Sequence, residues 1–86
     1  MCTTSPWQAL GAQLAAARHR RALTQHHVAH HAGISQPAYS QIERGRVRPR
    51  PALLGRLVLT LSLDVTLVAT LAEYPLERVL AALAGG

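Results

Sequence analysis

Apolar residues recur at helical spacing through most of the chain. Trp7, Leu10, Leu14 and Ala17 fall three or four positions apart, which places them on one helix face. Ser5, Pro6 and Gln8 form a helix-start signature at its head: a capping hydroxyl, a proline suited to the first helical position, and a glutamine to complete a capping box. The pattern predicts a first helix ending near Arg21. Thr24 is placed to cap a short second helix with Val28, Ala29 and Ala32 inward, closed by Gly33 in a left-handed turn. Ser35 caps a third helix, with Pro37 tolerated in its first turn, Tyr39 and Ile42 inward and Gly45 as its stop. A basic loop, RVRPRP, leads to a fourth helix from about Pro51, lined by Leu53, Leu54, Leu57, Val58 and Leu61. Gly55 inside it costs about 1 kcal/mol against alanine.

After Ser62 the period changes to two. Leu63, Val65, Leu67, Ala69 and Leu71 alternate with Asp64, Thr66, Val68 and Thr70, the signature of a half-buried strand. A lone strand leaves backbone donors and acceptors unpaired. Pairing with its own copy across a two-fold axis would satisfy both chains, so these five apolar residues are the expected dimerisation element. Tyr74-Pro75 then introduces a last helix with Leu76, Val79, Leu80 and Leu83 as its stripe. The expected division is residues 1–62 as one functional part and 63–86 as dimerisation strand and terminal helix. No internal repeat and no low-complexity linker is expected.

Charge changes the picture. The 86-residue chain has a net charge of +5. All nine cations are arginine, and Arg18, Arg20, Arg21, Arg44, Arg46, Arg48, Arg50 and Arg56 precede Leu57 with only Glu43 against them. Asp64, Glu73, Glu77 and Arg78 follow. A basic first part and a near-neutral tail point to a polyanion-binding module joined to a second element. One cysteine, Cys2, excludes an internal disulfide and favours a reducing compartment, the cytoplasm. No secretory pattern is visible. The apolar run Ala52 to Ala72 is long enough for a bilayer, but Arg56 and Asp64 would each cost about 2.5–3.5 kcal/mol near a membrane helix centre. No membrane association is expected. A core this small needs a partner subunit, a metal or very regular helices.

Two helices joined by a tight turn at Gly33, with a small Ala29 beneath the crossing and polar residues opening the second helix, make a helix-turn-helix. The stretches "LTQ" at Leu23–Gln25, "AGIS" at Ala32–Ser35, "SQIERG" at Ser40–Gly45 and the following Arg-x-Arg-Pro resemble the phage Cro/repressor-type (XRE) helix-turn-helix family. The resemblance covers about Leu10 to Leu67. It implies a mainly α, lambda-repressor-like bundle of four helices, to which the reading above adds one C-terminal β-strand and a short terminal helix. It also implies that Gln25 bonds a phosphate, that Ser35, Gln36, Pro37, Ser40 and Gln41 lie on the groove-facing side of the reading helix, and that Arg18 and Glu43 form a buried ion pair. The stretch "LSLDVTLVATL" is similar to HipB-type antitoxins, whose single strand pairs between subunits.

Residue chemistry agrees on the roles. Glutamine matches adenine through a bidentate pair, which makes Gln36 and Gln41 the base readers, with Ser40 a weaker contact and Pro37 limited to apolar contact such as a thymine methyl. Gln25 at a helix start, Ser35, and Arg44, Arg46 and Arg48 are expected on phosphates. His26/His30 and His27/His31 share helix faces at a spacing that suits zinc, but each pair supplies two ligands without a nearby cysteine or carboxylate. No metal or cofactor is expected. No nucleophile–base set and no phosphate loop appears, so an enzyme is the weakest class and none is expected. The reading is a dimeric, sequence-specific DNA-binding repressor on a near-palindromic site in double-stranded DNA. The alternatives are an antitoxin that also binds a toxin protein, or an adaptor that binds protein only.

Overall fold

The structure, a computed structural model, describes residues 7–85. Ser5, Pro6 and Cys2 lie outside the described residues. Six helices follow one another: α1 Gln8–Arg20, α2 Gln25–Ala32, α3 Gln36–Glu43, α4 Pro51–Leu61, α5 Val65–Ala72 and α6 Leu76–Gly85. The turn chemistry read from the sequence is in place. Thr24 Oγ1 accepts the His27 amide at 3.0 Å, and Ser35 Oγ accepts the Ala38 amide at 3.2 Å. Gly33 sits at φ 76° and Gly45 at φ 74°. Leu10, Leu14, Ala17, Val28, Ala29, Ala32, Tyr39, Ile42, Leu54, Leu57, Val58 and Leu61 are all buried. Val68, Ala69, Ala72 and Val79 join them in a single cluster.

The expected strand is not there. Leu63–Leu71 is largely the helix α5, and no strand occurs among the described residues. The deciding residue is Asp64. Its Oδ1 accepts the amides of Thr66 at 2.9 Å and Leu67 at 3.2 Å, which satisfies orphan donors of a helix start. Burial then runs at helical spacing: Val68, Ala69 and Ala72 are buried, while Leu67 is 42% exposed. The alternation had placed Val68 outward and Leu67 inward. In a segment this apolar, both periods find enough hydrophobic positions, and the cap settles the choice. Main-chain groups are thereby satisfied within the chain, so the strand-pairing argument for Leu63, Val65, Leu67, Ala69 and Leu71 falls. The run Ala52 to Ala72 is broken at Ser62, where α4 ends with φ 53°, and among the described residues no helix is long and apolar enough to cross a membrane.

Of two glycines inside helices, one sets helix spacing and the other does not. A Cβ on Gly11 would collide with the backbone carbonyl of Glu43 and lie 2.8 Å from that of Ile42, so α1 and α3 approach as closely as they do only without a side chain there. Gly55 differs: a Cβ there meets Ala82 Cβ and Leu83 Cδ2 at 3.5 Å, an ordinary contact. Gly55→Ala is therefore expected to raise stability by up to about 1 kcal/mol, whereas Gly11→Ala lowers it by more than that by forcing α1 off α3. Thermal melts of the two variants check both signs.

Candidate nucleic-acid interface

The polar residues of α2 and α3 are joined in one hydrogen-bonded chain. Arg18 on α1 donates from Nε to Oε2 of Glu43 at 2.6 Å and from Nη2 to Oε1 at 3.1 Å. It also donates from Nη1 to the Leu23 carbonyl at 3.1 Å. Gln25, the first residue of α2, donates from Nε2 to Oε1 of Glu43 at 2.9 Å. Gln36, the first residue of α3, donates from Nε2 to Oε1 of Gln25 at 2.7 Å. The Arg18 and Glu43 side chains are only 12% and 6% exposed. Burial alone would push the Glu43 carboxyl up. The hydrogen bonds from Arg18 and Gln25, with Tyr39 beside it, outweigh burial and hold it below the ordinary carboxylate range. Arg18 is raised in turn, chiefly by its bond to Glu43. The Tyr39 hydroxyl is buried without a hydrogen-bond partner among the described residues. Burial, then the adjacent Glu43 carboxylate, pushes its pKa up.

The proposed ion pair is therefore present, and it carries more than a link between α1 and α3. It orients Gln25, which orients Gln36. The sequence treats these two glutamines as separate contacts, one for phosphate and one for base. Their spacing of 11 residues across a turn gives no local signal of the link.

The remaining residues of the predicted surface take several places. Pro37 is exposed on the first turn of α3, and Ser40 is half-buried. Ser35 spends an oxygen lone pair on its cap but keeps its O–H donor. Gln41 lines a cavity of about 460 Å³ beside α3, whose other walls include Ile34, Ala38, Val47 and Leu53. Arg44 and Arg46 are exposed just past α3. Arg48 is engaged elsewhere: it donates from Nε to the Ala72 carbonyl at 2.8 Å and from Nη2 to the Glu73 carbonyl at 2.6 Å, and its guanidinium lies 3.8 Å from the Tyr74 ring centroid. That closes the carbonyl end of α5, a fitting place for a cation. Arg56 does the same for α2 through Ala32, at 3.3 Å. Sequence distance hides both roles.

The histidines sit on the outer side of α2, all four exposed, with the His27 and His31 rings 4.4 Å apart. Among the described residues no three His, Cys, Asp or Glu side chains gather as a metal site would require. The sequence family described as a helix-turn-helix domain matches residues 9–71. No curated protein and no solved structure matches.

Proposed function

We propose, from the premise that the chain belongs to the helix-turn-helix domain family, that it is a dimeric repressor reading a near-palindromic operator through the helix from Ser35 to Arg44. The observation that carries this reading is the chain Gln36–Gln25–Glu43–Arg18. Gln36 gives one N–H to Gln25 and keeps its second N–H and its carbonyl oxygen. Those two groups are what a bidentate contact to adenine needs. Gln25 likewise keeps one N–H at the positive end of α2, where a phosphate is favoured. The base reader Gln36 is thus pre-oriented by Gln25, the residue proposed for the phosphate, before any duplex arrives, which lowers the entropic cost of binding. Arg44 and Arg46 supply sequence-independent attraction. The work this describes belongs to the cytoplasm, on the nucleoid. The antitoxin reading drew on a strand similar to that of HipB-type proteins, and that stretch is the helix α5.

Selection from random duplexes followed by salt-dependent titration tests the proposal. One short site should be enriched, with affinity falling steeply as salt rises. Gln36→Ala should cost about 1–3 kcal/mol and relax one base position. Arg46→Ala should weaken all sequences alike and reduce the salt slope by about one unit. A pool with no enriched sequence, or affinity indifferent to salt, would leave the adaptor reading in its place.

A further inference from the structure

The backbone of the second half repeats the first. Adding 40 to a residue number carries α2–α3 onto α5–α6. The left-handed residues Ala22 (φ 56°) and Gly33 (φ 76°) have counterparts in Ser62 (φ 53°) and Glu73 (φ 61°). The bond from the Leu23 amide to the Arg18 carbonyl, 3.1 Å, is matched from Leu63 to Val58 at 3.0 Å. That from Ile34 to Ala29, 3.0 Å, is matched from Tyr74 to Ala69 at 3.0 Å. The caps Thr24 and Asp64 correspond. Buried, half-buried and exposed positions from Leu23 to Tyr39 coincide with those from Leu63 to Val79 everywhere except His31 and Leu71. Even Arg21, whose Nε bonds the Leu61 carbonyl at 3.2 Å, reaches for its own counterpart.

We propose that α5–α6 is a second helix-turn-helix unit whose outer helix face docks a second copy of this chain instead of a duplex. The substitutions between the units carry the argument. The linked set Arg18, Gln25, Gln36 and Glu43 is replaced, position by position, by Val58, Val65, Leu76 and Leu83. The outward Ser40 and Gln41 become Leu80 and Ala81, and Arg44 becomes Ala84. Leu80 is 43% exposed, between the half-buried Leu76 and Leu83 on the same face. The linked glutamines and the outward Ser40, Gln41 and Arg44 of the first unit have no polar counterparts in the second, where an apolar strip on α6 stands beside the charged pair Glu77 and Arg78.

Charge selects the occupant. From Ser62 to Gly85 the chain carries Asp64, Glu73 and Glu77 against Arg78, so a duplex is repelled. A two-fold interface sets a patch against itself. An apolar strip is compatible with its own copy, and the exposed neighbours Glu77 and Arg78 on α6 give an antiparallel copy one acid and one base to exchange. This interface rests on the dimeric reading above and names its surface.

Sedimentation of the full chain at micromolar concentration tests it, comparing wild type with Leu80→Arg. The wild type should be a dimer whose melting temperature rises with concentration. Leu80→Arg should be a monomer with unchanged circular dichroism and a concentration-independent melting temperature near that of dilute wild type, because an exposed substitution barely moves the stability of the single chain. On duplexes, the variant should keep its affinity for a single half-site and lose about 100-fold or more on the two-half-site operator, where linkage multiplies affinity. A monomeric wild type, or a variant that stays dimeric, overturns the proposal. A chain that dimerises through Leu80 but ignores every duplex upholds this interface and sinks the DNA reading alone.

Discussion

Glu43→Ala is expected to remove about 3–5 kcal/mol of folding stability, the cost of leaving one member of a buried pair without its partner. Against the 5–15 kcal/mol that holds a domain of this size together, that is a large share. The loss has three parts in this structure. Arg18 keeps its charge near the Leu23 carbonyl but loses both carboxylate bonds. Gln25 loses its acceptor, and Gln36 loses an ordered partner. DNA affinity should fall along with the melting temperature. The same site predicts an acid limb. The Glu43 carboxyl is held below its ordinary value in the folded chain, so its contribution is complete above the unfolded carboxylate range, about pH 4.3. It is lost as pH falls through the lower folded value. Arg18 is raised and stays charged throughout that window, so it adds no slope. Thermal melts from pH 7 to pH 3 should show a decline in the wild type that is shallower in Glu43→Gln. Equal melting of Glu43→Ala and wild type would show that the pair does not support the fold.

What the sequence reveals depends on how local the signal is. Caps, glycine turns and the core faces of α1 to α4 are legible because each is set within one or two helical turns. Thr24, Ser35, Gly33 and Gly45 show this. The Arg18–Glu43 pair was reached only through family resemblance, since its partners lie 25 positions apart. The link between Gln25 and Gln36 and the capping by Arg48 and Arg56 are set by tertiary approach and leave no mark on spacing. The segment from Leu63 to Leu71 misleads for a different reason. It is so rich in apolar residues that a period of two can be drawn through it, and the side-chain cap of Asp64 outweighs that pattern. The repeat escapes notice because, from Leu23 to Gly45, only Leu23, Val28, Ala29, Ala32 and Gly45 keep their identity 40 residues later. The exposed histidines of α2 have become threonine and leucine, and of the buried positions Val28, Ala29 and Ala32 are kept while Tyr39 and Ile42 shrink to Val79 and Ala82.

That contrast between the units supplies the last expected result. Replacing Arg18, Gln25, Gln36 and Glu43 together by Val, Val, Leu and Leu, the residues at their counterparts, should keep the fold and abolish duplex recognition. Tyr39→Phe is added so that no hydroxyl remains buried against an apolar set. A buried ion pair exchanged as a whole for packed hydrophobic side chains is often neutral or stabilising by 1–4 kcal/mol, and the second unit holds the same helix-turn-helix backbone with that apolar set. The five-fold variant should therefore melt at or above the wild-type temperature, in contrast to Glu43→Ala. Its binding to the selected operator should drop to the level of unrelated duplex, about 1000-fold or more, because the oriented glutamines are gone while Arg44 and Arg46 remain. Helicity, melting and binding are measured on the same sample. A variant as unstable as Glu43→Ala would mean that the polar set is needed for the fold itself. A stable variant that still discriminates its operator would mean that Gln25 and Gln36 do not read it.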